Sequence, residues 1–173
     1  FLAMLLALTF HEAAHAFTAH IRGDDTALVN GRLSLNPAAH ADMLGTVILP
    51  FVGFLMHMPI IGWAKPVPVD ERNFKKPVLD NLLVSIAGPL SNLLMAFMAI
   101  VLLRIYYLHG QAVLPEGSFF FPLVKLLMAF AFVNAMLAFF NLIPLPPLDG
   151  SSILRVILPN DAWEKYESVA APY

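Results

Sequence analysis

Three ionisable side chains, His11, Glu12 and His15, stand inside an apolar run from Phe1 to about His20. This combination constrains the fold more than any other feature of the sequence. The run reads as a helix of about 30 Å, just long enough to cross a bilayer. Ionisable groups in such a segment are costly and by default mark a functional site. His11 and His15 are four residues apart, so a helix sets them one turn apart on the same face. They can offer two imidazoles to one divalent metal, with Glu12 beside them as a general base. The competing reading is a pair of satisfied core histidines.

The rest of the composition agrees with a membrane setting. The chain has 173 residues, 59% of them hydrophobic and 13% charged, against about 25% charged in ordinary soluble domains. Mean hydropathy is +0.74. A net charge of -2 gives no case for nucleic acid as a partner. The absence of cysteine excludes thiolate metal sites and disulfides. No Lys or Arg precedes the first apolar run, which argues for a span and against a signal peptide. The length suits one domain over 1–173, and the abrupt apolar start is that of a fragment, open to truncation at both ends.

The pattern predicts an all-α polytopic membrane protein with spans at about 1–21, 78–108 and 119–143. Asn30-Gly31 between two short alternating runs predicts a β-hairpin over 27–35. Pro66 and Pro68 remove donors from one side of an extended segment and leave Val67 and Val69 to donate from the other, which predicts an edge strand or loop. Residues 43–62 are apolar and span-like in length, but Gly45, Pro50, Gly53 and Pro59 interrupt them. If this segment is re-entrant, Arg22, Arg32, Lys65, Arg72, Lys75, Lys76, Arg155 and Lys165 share one side, which the positive-inside rule makes cytoplasmic. The re-entrant arrangement also brings Asp149 to the same half of the membrane as the histidines. His20, His40 and His57 read as interfacial or packing residues, and Lys75 and Lys76 as a solvated face near anionic lipid.

A catalytic zinc site has three protein ligands and one open position. Asp149, a lone carboxylate after the proline-broken stretch 144–147, is the best remaining candidate for the third ligand; a helix N-cap before Gly150 explains it equally well. Two histidines and a carboxylate would also suit iron(II).

His11-Glu12-Ala13-Ala14-His15, Gly88-Pro89-Leu90-Ser91-Asn92 and Asn141-Leu142-Ile143-Pro144-Leu145-Pro146-Pro147-Leu148-Asp149-Gly150 follow one another on three apolar segments. Together they resemble the site-2 protease family of intramembrane zinc metalloproteases, over roughly residues 1 to 158. The stretch Gly62 to Val69 is similar to a compact prokaryotic branch without an inserted PDZ domain. The resemblance implies one zinc per chain on His11, His15 and Asp149, with Glu12 as catalytic acid/base and Asn92 and Asn141 as polar groups near the reaction. It further implies a transmembrane protein substrate, a bilayer setting in a prokaryotic inner membrane, and a site toward the cytoplasmic side. An unwound substrate could add to the edge near Val67 and Val69 or to the 27–35 hairpin. Two other classes compete: a silent metal-binding scaffold for partner helices, and a metal transporter, which would need more ionisable residues along the later spans. Asn92 and Asn141 could equally be plain interhelical hydrogen bonders. The oligomeric state is not legible.

Overall fold

The computed structural model describes residues 1–58, 62–110, 117–119 and 121–170. Helix α1 (Leu2–Arg22) ends at Gly23, whose φ of 105° is left-handed. There the Gly23 N–H donates to His20 O at 3.0 Å and the Asp24 N–H to Ala19 O at 2.9 Å, the paired bonds that close a helix on a glycine. The buried face of α1 runs through Ala3, Ala7, His11, His15 and Ala19, mostly small side chains that let neighbouring helices approach closely. Short helices α2 (Thr26–Val29) and α3 (Pro37–His40) follow. A π-helical turn over Met43–Ile48 leads into α4 (Leu49–Leu55). Helix α5 (Pro77–Ile105) starts with proline in its first turn and with the Asp80 carboxylate accepting from the Lys76 N–H at 2.8 Å. Helices α6 (Phe121–Asn141), α7 (Ser151–Ile157) and α8 (Asn160–Ala170) complete the described chain.

The core is a three-helix bundle in which α1, α5 and α6 pack mutually and α7 rests on α5. Among the described residues these three are the helices long and apolar enough to cross a membrane, at Leu2–Arg22, Pro77–His109 and Phe121–Asn141. All three expected spans are therefore helices within a few residues of their predicted ends. Large apolar side chains such as Leu94, Phe97, Phe132 and Phe139 face outward from the bundle, as lipid-facing positions do. Two ion pairs lie at the end of the bundle where α1 finishes, Arg22 with Asp80 and Arg155 Nη1 2.9 Å from Glu71 Oε2. Arg104 and Lys125 lie near the other end, in the last turn of α5 and near the start of α6.

Three expectations are corrected. No strand occurs among the described residues. Asn30-Gly31 closes α2 instead of turning a hairpin. Asn30 has φ -83° and only Gly31 is positive, at 66°, whereas the expected hairpin turn needs both positive. The Gly31 N–H bonds to Leu28 O and the Arg32 N–H to Ala27 O, so the dipeptide acts as a helix stop.

The 63–69 segment has no ladder partner because its donors diverge. The Lys65 N–H goes to His40 O at 2.9 Å and the Val67 N–H to the Glu12 carboxylate at 2.9 Å. The buried Arg32 guanidinium holds the carbonyls of Lys65 and Pro66.

The re-entrant segment over 43–62 is not supported either. Non-helical backbone at membrane depth must be buried in protein. Residues 43–55 instead form one helical rod with Met43, Leu44, Phe51, Phe54 and Leu55 exposed, rooted through Gly45 and Thr46 on Trp63. Pro59 lies outside the described residues.

Asp24 fastens the end of α1 to the approach to α5. Fully buried, its carboxylate accepts from the Thr26 N–H and hydroxyl, from Asn73 Nδ2 at 2.7 Å and from the Asp70 N–H at 2.9 Å. Burial alone would raise its pKa, but these donors outweigh it and hold the group below its ordinary value. A depressed carboxylate contributes stability above its unfolded pKa and loses it as pH falls through the folded one. Thermal unfolding in detergent is therefore expected to show a loss of stability below about pH 4 that Asp24→Asn removes. An unchanged acid limb in the variant would reject this role.

Candidate metal centre

One stripe of α5 supports both histidines of α1. Val84, Gly88 and Asn92 recur every four residues and so line one face of that helix. Val84 O accepts from His15 Nδ1 at 2.7 Å, and Asn92 Oδ1 accepts from His11 Nδ1 at 2.7 Å. Between them lies Gly88, where an added Cβ would collide with His15 Nε2 and come within 2.6 Å of His11 Cε1. Only glycine leaves the rings their place.

Asp149 reaches the histidines because residues 142–150 fold back from the end of α6. The Gly150 N–H donates to Asn141 O at 2.7 Å, and an added Cβ on Gly150 would strike the Leu142 and Ile143 carbonyls. On α5, Ser85 Oγ meets Ser152 Oγ at 2.8 Å, which ties the start of α7 to the same stripe. Asp149 Oδ2 then lies 3.2 Å from His11 Nε2, and Oδ1 lies 3.5 Å from His15 Nε2. The two Nε2 atoms are 3.0 Å apart. Glu12 adjoins them on α1, with Oε2 receiving the Val67 N–H.

These groups fit a divalent metal. Val84 O can only accept, so His15 carries its proton on Nδ1 and turns a lone pair on Nε2 inward. His11 does the same against Asn92 Oδ1. Two facing lone pairs repel, and Asp149 Oδ2 is buried with no hydrogen-bond partner. A cation among the three relieves both. Tetrahedral zinc, with ligands about 2.0–2.1 Å away, separates neighbouring donors by about 3.3 Å, close to the spacings found. His11, His15 and Asp149 form the one such group among the described residues.

The model of peptidase family M50 matches residues 105–170. Over 156 residues the chain is 44% identical to the "Putative zinc metalloprotease YwhC" of Bacillus subtilis, a match covering 90% of this chain and 67% of that protein. The chain belongs to peptidase family M50.

A second relative, the "Putative zinc metalloprotease Rip2" of Mycobacterium tuberculosis, is 30% identical over 152 residues, covering 87% of this chain and 54% of Rip2. This chain thus spans about two thirds of one relative and about half of the other. No solved structure matches it. Membership of M50 and the three apolar helices make it an integral membrane protein.

Within this M50 chain, His11, His15 and Asp149 converge, Glu12 follows His11 on α1, and the two expected asparagines part company. Asn92 touches His11, but its amide is fully engaged: Nδ2 donates to Ala7 O at 3.1 Å and to Asn134 Oδ1 at 2.8 Å. It has no donor left for a reacting oxygen. Asn141 is not brought to the histidines; its Nδ2 donates to Leu137 O at 3.0 Å on its own helix. Asn92 thus stands beside a candidate ligand as its hydrogen-bond partner, while the Asn141 amide bonds within α6. Sequence reasoning missed Val84, whose contribution is a main-chain carbonyl that no residue type signals. It also passed over Asn134, although a polar residue amid a span is a readable cue.

Proposed function

We propose that this chain is the catalytic core of an intramembrane zinc metalloendopeptidase that cleaves transmembrane proteins by activated water. The observation that carries the reading is the convergence of His11 Nε2, His15 Nε2 and the Asp149 carboxylate beside Glu12, inside helices long enough to span a bilayer. The family and the names of its relatives agree with it.

Zinc, when bound, supplies a Lewis acid that lowers the pKa of water toward neutrality and polarises the scissile carbonyl. Glu12 is the general base. With Oε2 held by the Val67 amide, its carboxylate takes a proton from the attacking water and then gives it to the leaving amine. The Val84 carbonyl and Asn92 keep both imidazoles in the tautomer that turns Nε2 inward. The extended 63–69 segment, anchored by Arg32, runs past Glu12 and so borders the space a substrate backbone would enter.

We place the site toward the cytoplasmic side of a prokaryotic inner membrane. Arg22, Arg32, Arg72 and Arg155 gather at the end of the bundle where α1 finishes, as the positive-inside rule requires of a cytoplasmic end.

The test is reconstitution of the purified chain in liposomes with single-span proteins as candidate substrates. Cleavage within the span, abolished by a chelator and restored by zinc, is the expected result. A chain that binds zinc and the spans but never cuts them would replace the peptidase reading with that of a scaffold.

A further inference from the structure

The buried asparagine pair behind His11 has a direction built into it. Asn92 and Asn134 are both 0% exposed, in a part of the bundle where an unpaired amide group is costly. Asn134 Nδ2 donates to Phe130 O, one turn back on α6, at 2.8 Å. That carbonyl can only accept, so the Asn134 amide must present Oδ1 toward α5. Asn92 Nδ2 gives one hydrogen to this oxygen and the other to Ala7 O on α1. The Asn92 oxygen is then turned to His11, where it requires a proton on Nδ1. Reversing either amide would set oxygen against a main-chain carbonyl. Two carbonyls, on α1 and α6, therefore dictate through two side chains which nitrogen of His11 bears hydrogen.

We propose that Asn134 is a positioning residue for the metal centre, acting through Asn92 to keep the His11 proton on Nδ1 and its Nε2 lone pair aimed at Asp149 and His15. This rests on the reading of His11 as a ligand. Without Asn134, one Asn92 N–H is left unpaired in the bundle. Ala7 O alone then holds the amide in this orientation. In the reversed orientation, which forfeits that single bond, an N–H faces His11 and draws the imidazole toward the opposite tautomer, so the two orientations are populated together.

The experiment compares wild type, Asn134→Leu, Asn92→Ala and the double variant as full chains in detergent, each checked for a cooperative thermal transition. Two quantities are measured: zinc affinity against a competing chelator, and the His11 tautomer from ring 15N shifts of histidine-labelled protein, assigned with His11→Gln. Asn134→Leu is expected to weaken zinc binding by about tenfold, the low end of the range for partners of metal ligands, and to turn a single Nδ1–H tautomer into a mixture. In the double variant it should add little to Asn92→Ala, because both act along one path. Should Leu prevent folding, Asn134→Ser serves. Its hydroxyl can bond back to Phe130 O but falls short of Asn92, so the same tautomer mixture is expected. An unchanged tautomer and affinity in the position-134 variant, or losses that add in full, would overturn the proposal. A tautomer shift in a protein whose wild type binds no zinc would uphold the relay and remove the metal reading of His11.

Discussion

Replacing Asp149 by alanine is expected to reduce the chain from about one tightly held zinc to almost none. The carboxylate is the one proposed ligand not carried on α1, and it stands 3.2 and 3.5 Å from the two Nε2 atoms. Its loss leaves two imidazoles on one helix turn, with no anionic ligand to balance the ion's charge. Partners of metal ligands already cost 10–100-fold when removed, so loss of a ligand should exceed about 100-fold in affinity. Metal analysis after dialysis against a buffered free-zinc concentration reads this directly. Asp149→Asn, which keeps the shape but not the charge, should fall between wild type and Asp149→Ala. Stoichiometric, chelator-resistant zinc in folded Asp149→Ala would place the ion elsewhere and leave Asp149 as a residue of the turn before α7 only.

Glu12→Gln is expected to separate binding from chemistry. The amide keeps the shape and still offers an oxygen to the Val67 N–H, so zinc content and stability should hold. It cannot accept the water's proton. General acid–base groups contribute about 10²–10⁴-fold, and turnover should fall by at least that range with KM little changed. Substrate conversion per chain at saturating substrate, beside zinc content, makes the measurement. Turnover near that of wild type would deny Glu12 its role, whereas loss of both zinc and turnover would make it a structural support of the ligands.

How far the site was readable depended on the kind of signal each residue carried. His11, Glu12 and His15 were legible because helical geometry alone puts residues four apart on one face, and because ionisable groups in an apolar run demand a reason. Gly88 and Asn92 were marked by their motif, yet their actual work emerges only when α5 packs on α1. The glycine clears room for two rings, and the amide spends every hydrogen on protein acceptors. Asn141 lay in an equally suggestive motif and turned to its own helix. Asn30-Gly31 misled for a related reason. A positive φ at Gly31 satisfies a helix stop as well as a hairpin turn, and the four residues before it tipped the balance toward helix.

The sequence by itself determined the three apolar helices, because length and hydropathy are local sums that tertiary contacts do not overturn. It also determined the histidine pair, whose spacing needs nothing beyond one helix. Tertiary structure decided which carboxylate joins them: Asp149 is more than 130 residues from His11 in the chain and arrives only because the loop from Leu142 folds back under Gly150. It likewise decided the tautomer of each ring, set by the Val84 carbonyl and the Asn92 oxygen. Hydrogen-bond partners from other helices are invisible to periodicity, since a main-chain carbonyl is present at every residue and packing alone selects the one that counts.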